Sequence, residues 1–130
     1  GPLPVRLFLL KTYSESGVYS VTEELAKELI MQEETHKKFW GTAFYASILY
    51  EKNKIKVGKE ILNDYLTQND ISFKEFVDEI WLSPFTGTIT GDFDPVIDDV
   101  VYNLKMTYDP SLIDKSEEEG KDWTGSSQKD

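Results

Sequence analysis

Apolar and polar positions divide the chain into three stretches of different periodicity. From Val5 to Tyr13 apolar residues dominate, through Leu7-Phe8-Leu9-Leu10, which predicts a buried strand over 5–13. Ser14-Glu15-Ser16-Gly17 is a turn signal. Between 21 and 83 apolar positions recur three and four residues apart, predicting about four helices. Leu25, Leu29 and Ile30 mark the first, and Trp40, Phe44 and Ile48 the second, with a break expected between Thr35 and Gly41. Ile61, Leu62, Tyr65 and Leu66 mark the third, which Asn69-Asp70 should end. Phe73, Phe76, Val77, Ile80 and Trp81 form the stripe of the fourth.

Two of these helices carry a start signal. Ser20 with Glu23, and Ser72 with Glu75, fit the reciprocal capping box, with Thr22 an alternative cap for the first. Ser83-Pro84 should stop the fourth helix, because the residue before proline avoids helical backbone.

Beyond Pro84 the pattern changes again. Phe85-Thr86-Gly87-Thr88-Ile89-Thr90 is Thr-rich and predicts a strand over 85–92. Val100, Tyr102, Leu104, Met106 and Tyr108 alternate with Val101, Asn103, Lys105 and Thr107, which predicts a strand over 100–108 after a short turn at 95–98. Helical spacing through Val96, Val100 and Leu104 competes with this, and Asp94-Pro95 would suit a helix start. Strand, helical block, then strands is a segregated order. It predicts an α+β fold in which the terminal strands form a small antiparallel sheet against the helices.

The length of 130 residues suits a single domain with one core. Gly1-Pro2 resembles the scar of a protease that cleaves before Gly-Pro, so residues 1–3 are set aside as an expression remnant. The globular domain is expected over 4–110. Residues 111–130, mostly Ser, Asp, Glu, Lys and Gly, read as a disordered acidic tail in which Trp123 is a candidate docking residue.

Charge adds a second division. The chain has 14 Lys+Arg against 24 Asp+Glu, a net charge of −10. Residues 1–60 carry a net +1, residues 61–110 a net −8 and the tail a net −3. The imbalance therefore belongs mainly to the folded part. Such a face disfavours nonspecific contact with nucleic-acid phosphates and can steer a basic partner. The lysines at 52, 54, 56 and 59 are the one basic patch and read as a solvated connector.

Candidate chemistry is sparse. The chain has no Cys and a single His, which excludes thiolate chemistry, Cys-based zinc sites and a His-rich metal site within one chain. His36 stands beside Lys37-Lys38, and no G-x-S-x-G elbow is present. Asp92, Asp94, Asp98 and Asp99 are the densest carboxylate cluster, and D-x-D could serve a hard cation. An EF-hand reading fails, because Ile97 stands where its glycine is required. The glycines at 87 and 91 match neither common phosphate-loop spacing.

These features predict a non-catalytic acidic interaction domain of the inhibitor, immunity-protein or assembly-adaptor kind. Its partner would be a protein with a basic surface, without direct nucleic-acid or membrane contact and without a cofactor. The predicted contact residues are Asp78, Glu79, Trp81, Asp92, Asp94, Asp98, Asp99 and Tyr102. Two alternatives are a nucleic-acid-mimicking inhibitor and a metal-dependent enzyme built on Asp92–Asp99. An intracellular, cytoplasmic location is expected.

Overall fold

The computed structural model describes residues 3–82 and 95–113. Among them it contains six α-helices and no strand: α1 (Leu3–Glu15), α2 (Tyr19–Ile30), α3 (Thr35–Glu51), α4 (Ile55–Asn69), α5 (Phe73–Leu82) and α6 (Pro95–Tyr108). A short 3-10 turn, Pro110–Leu112, follows. The α+β expectation is thus overturned, and the fold is all-helical. The strand expected over 85–92 lies outside the described residues, as do Trp123 and the stretch from 114 on.

The segment read as strand 5–13 is the body of α1. Leu3, Leu7 and Leu10 are buried at helical spacing. A continuous apolar run does not by itself separate a buried strand from a buried helix. Here leucine, a strong helix former, outnumbers the β-branched residues, and the helix seats its leucines against the neighbouring helices. Fully burying each is worth roughly 1.5–3 kcal/mol.

The segment read as a turn at 95–98 and a strand at 100–108 is α6, with Pro95 as its first residue. Its buried positions are Val96, Ile97, Val100, Val101, Asn103, Leu104 and Thr107. That is a broad helical face. The apparent period of two does not survive, since Tyr102 and Met106 are only half-buried.

Local signals account for most helix ends. After α1, Gly17 takes φ +72°, with Gly17 N–H bonded to Ser14 O and Val18 N–H to Tyr13 O. This paired closure satisfies carbonyls that the last turn leaves open. Asn53 after α3 and Asp70 after α4 repeat it with φ 60° and 51°. At α5 the capping box forms as expected: Ser72 Oγ accepts from Glu75 N–H at 3.1 Å, and Glu75 Oε1 accepts from Ser72 N–H at 3.0 Å.

The other expected caps fail. The residue preceding α2 is Val18, without a side-chain cap. Ser20 and Thr22 already lie inside the helix, and buried Thr22 donates its hydroxyl to Val18 O. The break expected between Thr35 and Gly41 falls earlier, at 31–34, and α3 then runs unbroken.

Helix α3 is the centre of the fold and packs against α2, α4 and α6. Every residue from Phe39 to Phe44 and from Ala46 to Leu49 is buried, so α3 is covered on nearly all sides. Its N-terminal half anchors an aromatic cluster. The Phe39 ring lies 5.4 Å from Trp40 and 4.7 Å from Phe76 of α5. Phe76 also meets Tyr65 of α4 edge-on at 5.4 Å. At the C-terminal end of α6, Tyr108 stacks on Phe73 at 4.2 Å.

At Gly41, α2 and α3 touch closely. A Cβ there would lie 2.7 Å from Ile30 N, 2.8 Å from Ala26 O and 2.8 Å from Leu29 Cβ. Only a hydrogen at that position lets the two backbones approach. No helix among the described residues is long and apolar enough to cross a membrane.

Candidate functional site

A narrow cleft of about 50 Å³ opens where the C-terminal end of α1, the start of α2, the second half of α3 and the first half of α6 meet. It exceeds the ~10–15 Å³ needed for one water but is far smaller than the ~300–1,000 Å³ of pockets that enclose drug-sized ligands. Phe44, Ile48, Val96 and Val100 give it buried apolar walls. Buried Ser47 and Asn103 form its polar floor, while exposed Glu51 and Asp99, with Ser14 and Tyr19, stand at the opening. Two carboxylates and no basic side chain line it among the described residues.

Helical register builds the floor. On α6, Val96, Val100, Asn103 and Thr107 recur at spacings of four, three and four, which turns Asn103 toward α3. On α3, Phe44, Ser47, Ile48 and Glu51 share the facing stripe. Asn103 Nδ2 donates to Ser47 Oγ at 3.0 Å and to Glu51 Oε1 at 2.9 Å, with the Ser47 carbonyl at 3.4 Å. Each of these oxygens can accept, which fixes the amide orientation. Behind it, Thr107 donates its hydroxyl to Asn103 O at 2.7 Å. Asn103 Oδ1 is left buried without a donor, although buried polar atoms are nearly always paired. Trp40 Nε1 is the other such atom among the described residues, but Trp40 does not line the cleft.

Of the residues predicted to contact a partner, Asp99 lies at this cleft. Asp98 is exposed beside it, and Tyr102 is half-buried farther along α6. Asp78, Glu79 and Trp81 sit on α5. Asp78 accepts from Lys74 Nζ at 2.8 Å, within its own helix. Burial, with the Glu79 carboxylate adding to it, pushes the Tyr65 phenol up to about 12. Trp81 and Leu82 are exposed at the end of α5. Asp92 and Asp94 lie outside the described residues.

Sequence reasoning missed Ser47, Glu51 and Asn103. The signal was an asparagine on the apolar face of 96–107, visible only once that segment is read as a helix. His36 is exposed on the first turn of α3. No three His, Asp or Glu side chains converge to hold a metal among the described residues.

Ion pairs also tie helices together. Arg6 of α1 meets Glu28 of α2 at 3.0 Å. Lys52, just after α3, meets Glu23 of α2 at 2.7 Å, and this hydrogen bond holds the Glu23 carboxyl below its ordinary range. One member of the expected lysine patch is thereby paired with a carboxylate of α2 at the surface. Comparison with protein-family models, with curated proteins and with solved structures gave no match to this chain.

Proposed function

We propose that this chain is a non-catalytic acidic interaction domain of the inhibitor, immunity-protein or adaptor kind, which receives a basic surface of a protein partner. The observation that carries this reading is the cleft between α3 and α6. It places the Glu51 and Asp99 carboxylates over apolar walls in a space too small for a metabolite-sized substrate. The net charge of −8 over residues 61–110 supports it, since a one-signed field raises encounter rates with an oppositely charged surface. The cysteine-free composition is compatible with action in the reducing cytoplasm.

Fluorescence anisotropy with a labelled lysine-rich peptide tests the proposal at low and moderate salt. Saturable binding that weakens steeply with salt is expected, and the combined D78N, E79Q, D98N and D99N changes should weaken it at least ~5-fold. Equal affinity for the wild type and this quadruple variant, or no binding at low salt, would reject the proposal.

A further inference from the structure

We infer that the outer face of α1 is a self-association surface, on which a second copy of this chain packs antiparallel through Val5, Phe8, Leu9 and Thr12. The inference goes beyond the basic-partner reading above and does not depend on it. Three observations carry it.

First, α1 is apolar on two opposite sides. Leu3, Leu7 and Leu10 face the bundle and are buried. At ~100° per residue, Val5, Phe8, Leu9 and Thr12 fall within an arc of ~100° on the opposite side. Val5 is 54 % exposed and Phe8 58 %, while Leu9 is half-buried and Thr12 exposed. A surface helix turns a polar face outward, and a helix apolar on both sides is one that is covered on both.

Second, the stripe matches itself. Its members stand at spacings of three, one and three, and read small, large, large, small. A two-fold axis between positions 8 and 9 sets Phe8 of one copy on Leu9 of the other, and Val5 on Thr12. Each contact is then made twice, as an isologous interface requires.

Third, the charge suits a second copy. Arg6 and Lys11 border the stripe, but Arg6 is paired with Glu28 at 3.0 Å and Lys11 with Glu15 at 2.6 Å. No member of the stripe ionises, so it offers a charged partner nothing. Residues 1–60 carry a net +1 against −8 for residues 61–110. Two copies that meet through α1 therefore keep their acidic segments out of the contact. Its 13 residues span ~20 Å, and a single helix pair of that length falls short of the ~1,200 Å² of a stable interface. The dimer is accordingly weak and concentration-dependent.

Sedimentation equilibrium of the full chain from ~10 μM to ~1 mM, the range of weak association, tests this. The average mass is expected to rise toward twice that of the monomer. It should rise further in ~0.5 M salt, which screens the repulsion between two chains of net charge −10. Binding of the lysine-rich peptide is expected to weaken with salt, so the two proposals fail separately. Phe8→Glu should weaken association at least ~10-fold while keeping the wild-type circular dichroism spectrum. Met31→Glu adds the same charge at another exposed apolar position and should leave association unchanged. The chain has no Cys, so oxidising a mixture of V5C and T12C chains reads the register. Mixed 5–12 cross-links are expected, since antiparallel pairing holds the two copies of position 5 ~10 Å apart, beyond disulfide reach. A monomer at every concentration, association that salt weakens or that Phe8→Glu leaves intact, or V5C homodimers in preference to mixed ones would each overturn the inference.

Discussion

The two sides of α3 solve the same packing problem in opposite ways. Toward α2, Gly41 brings the backbones so close that a single added carbon would sit 2.7–2.8 Å from backbone and side-chain atoms. Toward α6, the contact is centred on Ser47, Asn103 and Glu51 and leaves a cleft beside them. Close packing closes the first side. The second gives up some packing for an oriented polar group with one acceptor unmet. A helix buried on nearly all sides over its central turns has little polar face there, so a site in that stretch must interrupt one of its packed sides. In this chain the interruption lies toward α6.

The largest test of that contrast is Gly41→Ala. Helix propensity favours alanine by ~1 kcal/mol, but the overlap is with backbone atoms that cannot turn aside. The expected result is a net loss of roughly 1–3 kcal/mol, read as a clear fall in thermal midpoint. Gly58 on α4 is the internal control. A Cβ there finds Ala46 O at 3.4 Å and Leu49 Cβ and Thr107 Cγ2 at 3.5 Å, which is ordinary contact. Gly58→Ala should therefore leave stability unchanged or raise it by up to ~1 kcal/mol. Equal losses at both glycines would erase the distinction between the two sides.

Asn103 gives the next effect. Asn103→Ala removes the bonds to Ser47 and Glu51 and leaves a void, at a cost of ~2 kcal/mol by denaturant unfolding. Asn103→Leu fills similar space and removes the orphaned acceptor, so it should stay within ~1 kcal/mol of the wild type. A leucine variant as unstable as the alanine one would show that the bonds to Ser47 and Glu51, rather than the filled volume, hold the two helices together.

The smallest effect belongs to the Glu23–Lys52 pair, which fastens the closed side. The Glu23 carboxyl is held below its unfolded value of 4.5, so its contribution is present above that value and is lost as the pH falls through the folded one. Lys52→Met should lower stability by less than ~1 kcal/mol at neutral pH, and less still in high salt. The wild type and variant should converge as the pH drops below 4.5. An undiminished difference at acid pH would assign the loss to lysine packing rather than charge.

Some features of the fold that depend on near neighbours were legible in the chain, although the Ser20 cap was not among them. Ser72 and Glu75 cap the same turn, and Asn69-Asp70 end α4 through a backbone geometry those residue types tolerate. Segments 5–13 and 100–108 were not legible, because a dense apolar run satisfies both periods. Only the partner surface decides which period is used. The site was legible in part. Asp99 was picked out by charge density, but its neighbours Ser47 and Glu51 come from a helix far away in sequence. Asn103 bonds to residues 56 and 52 positions before it.

By itself, the sequence determined where acidic charge accumulates, where α4 ends and how α5 begins, because these follow from residue type and local backbone geometry. The tertiary structure alone decided that both flanking segments are helices and that Gly41 is a point of contact. It also decided that an asparagine on α6 meets a serine and a glutamate on α3. The physical reason is that burial and hydrogen bonding between distant segments depend on which faces meet, and spacing along one segment does not specify its partner.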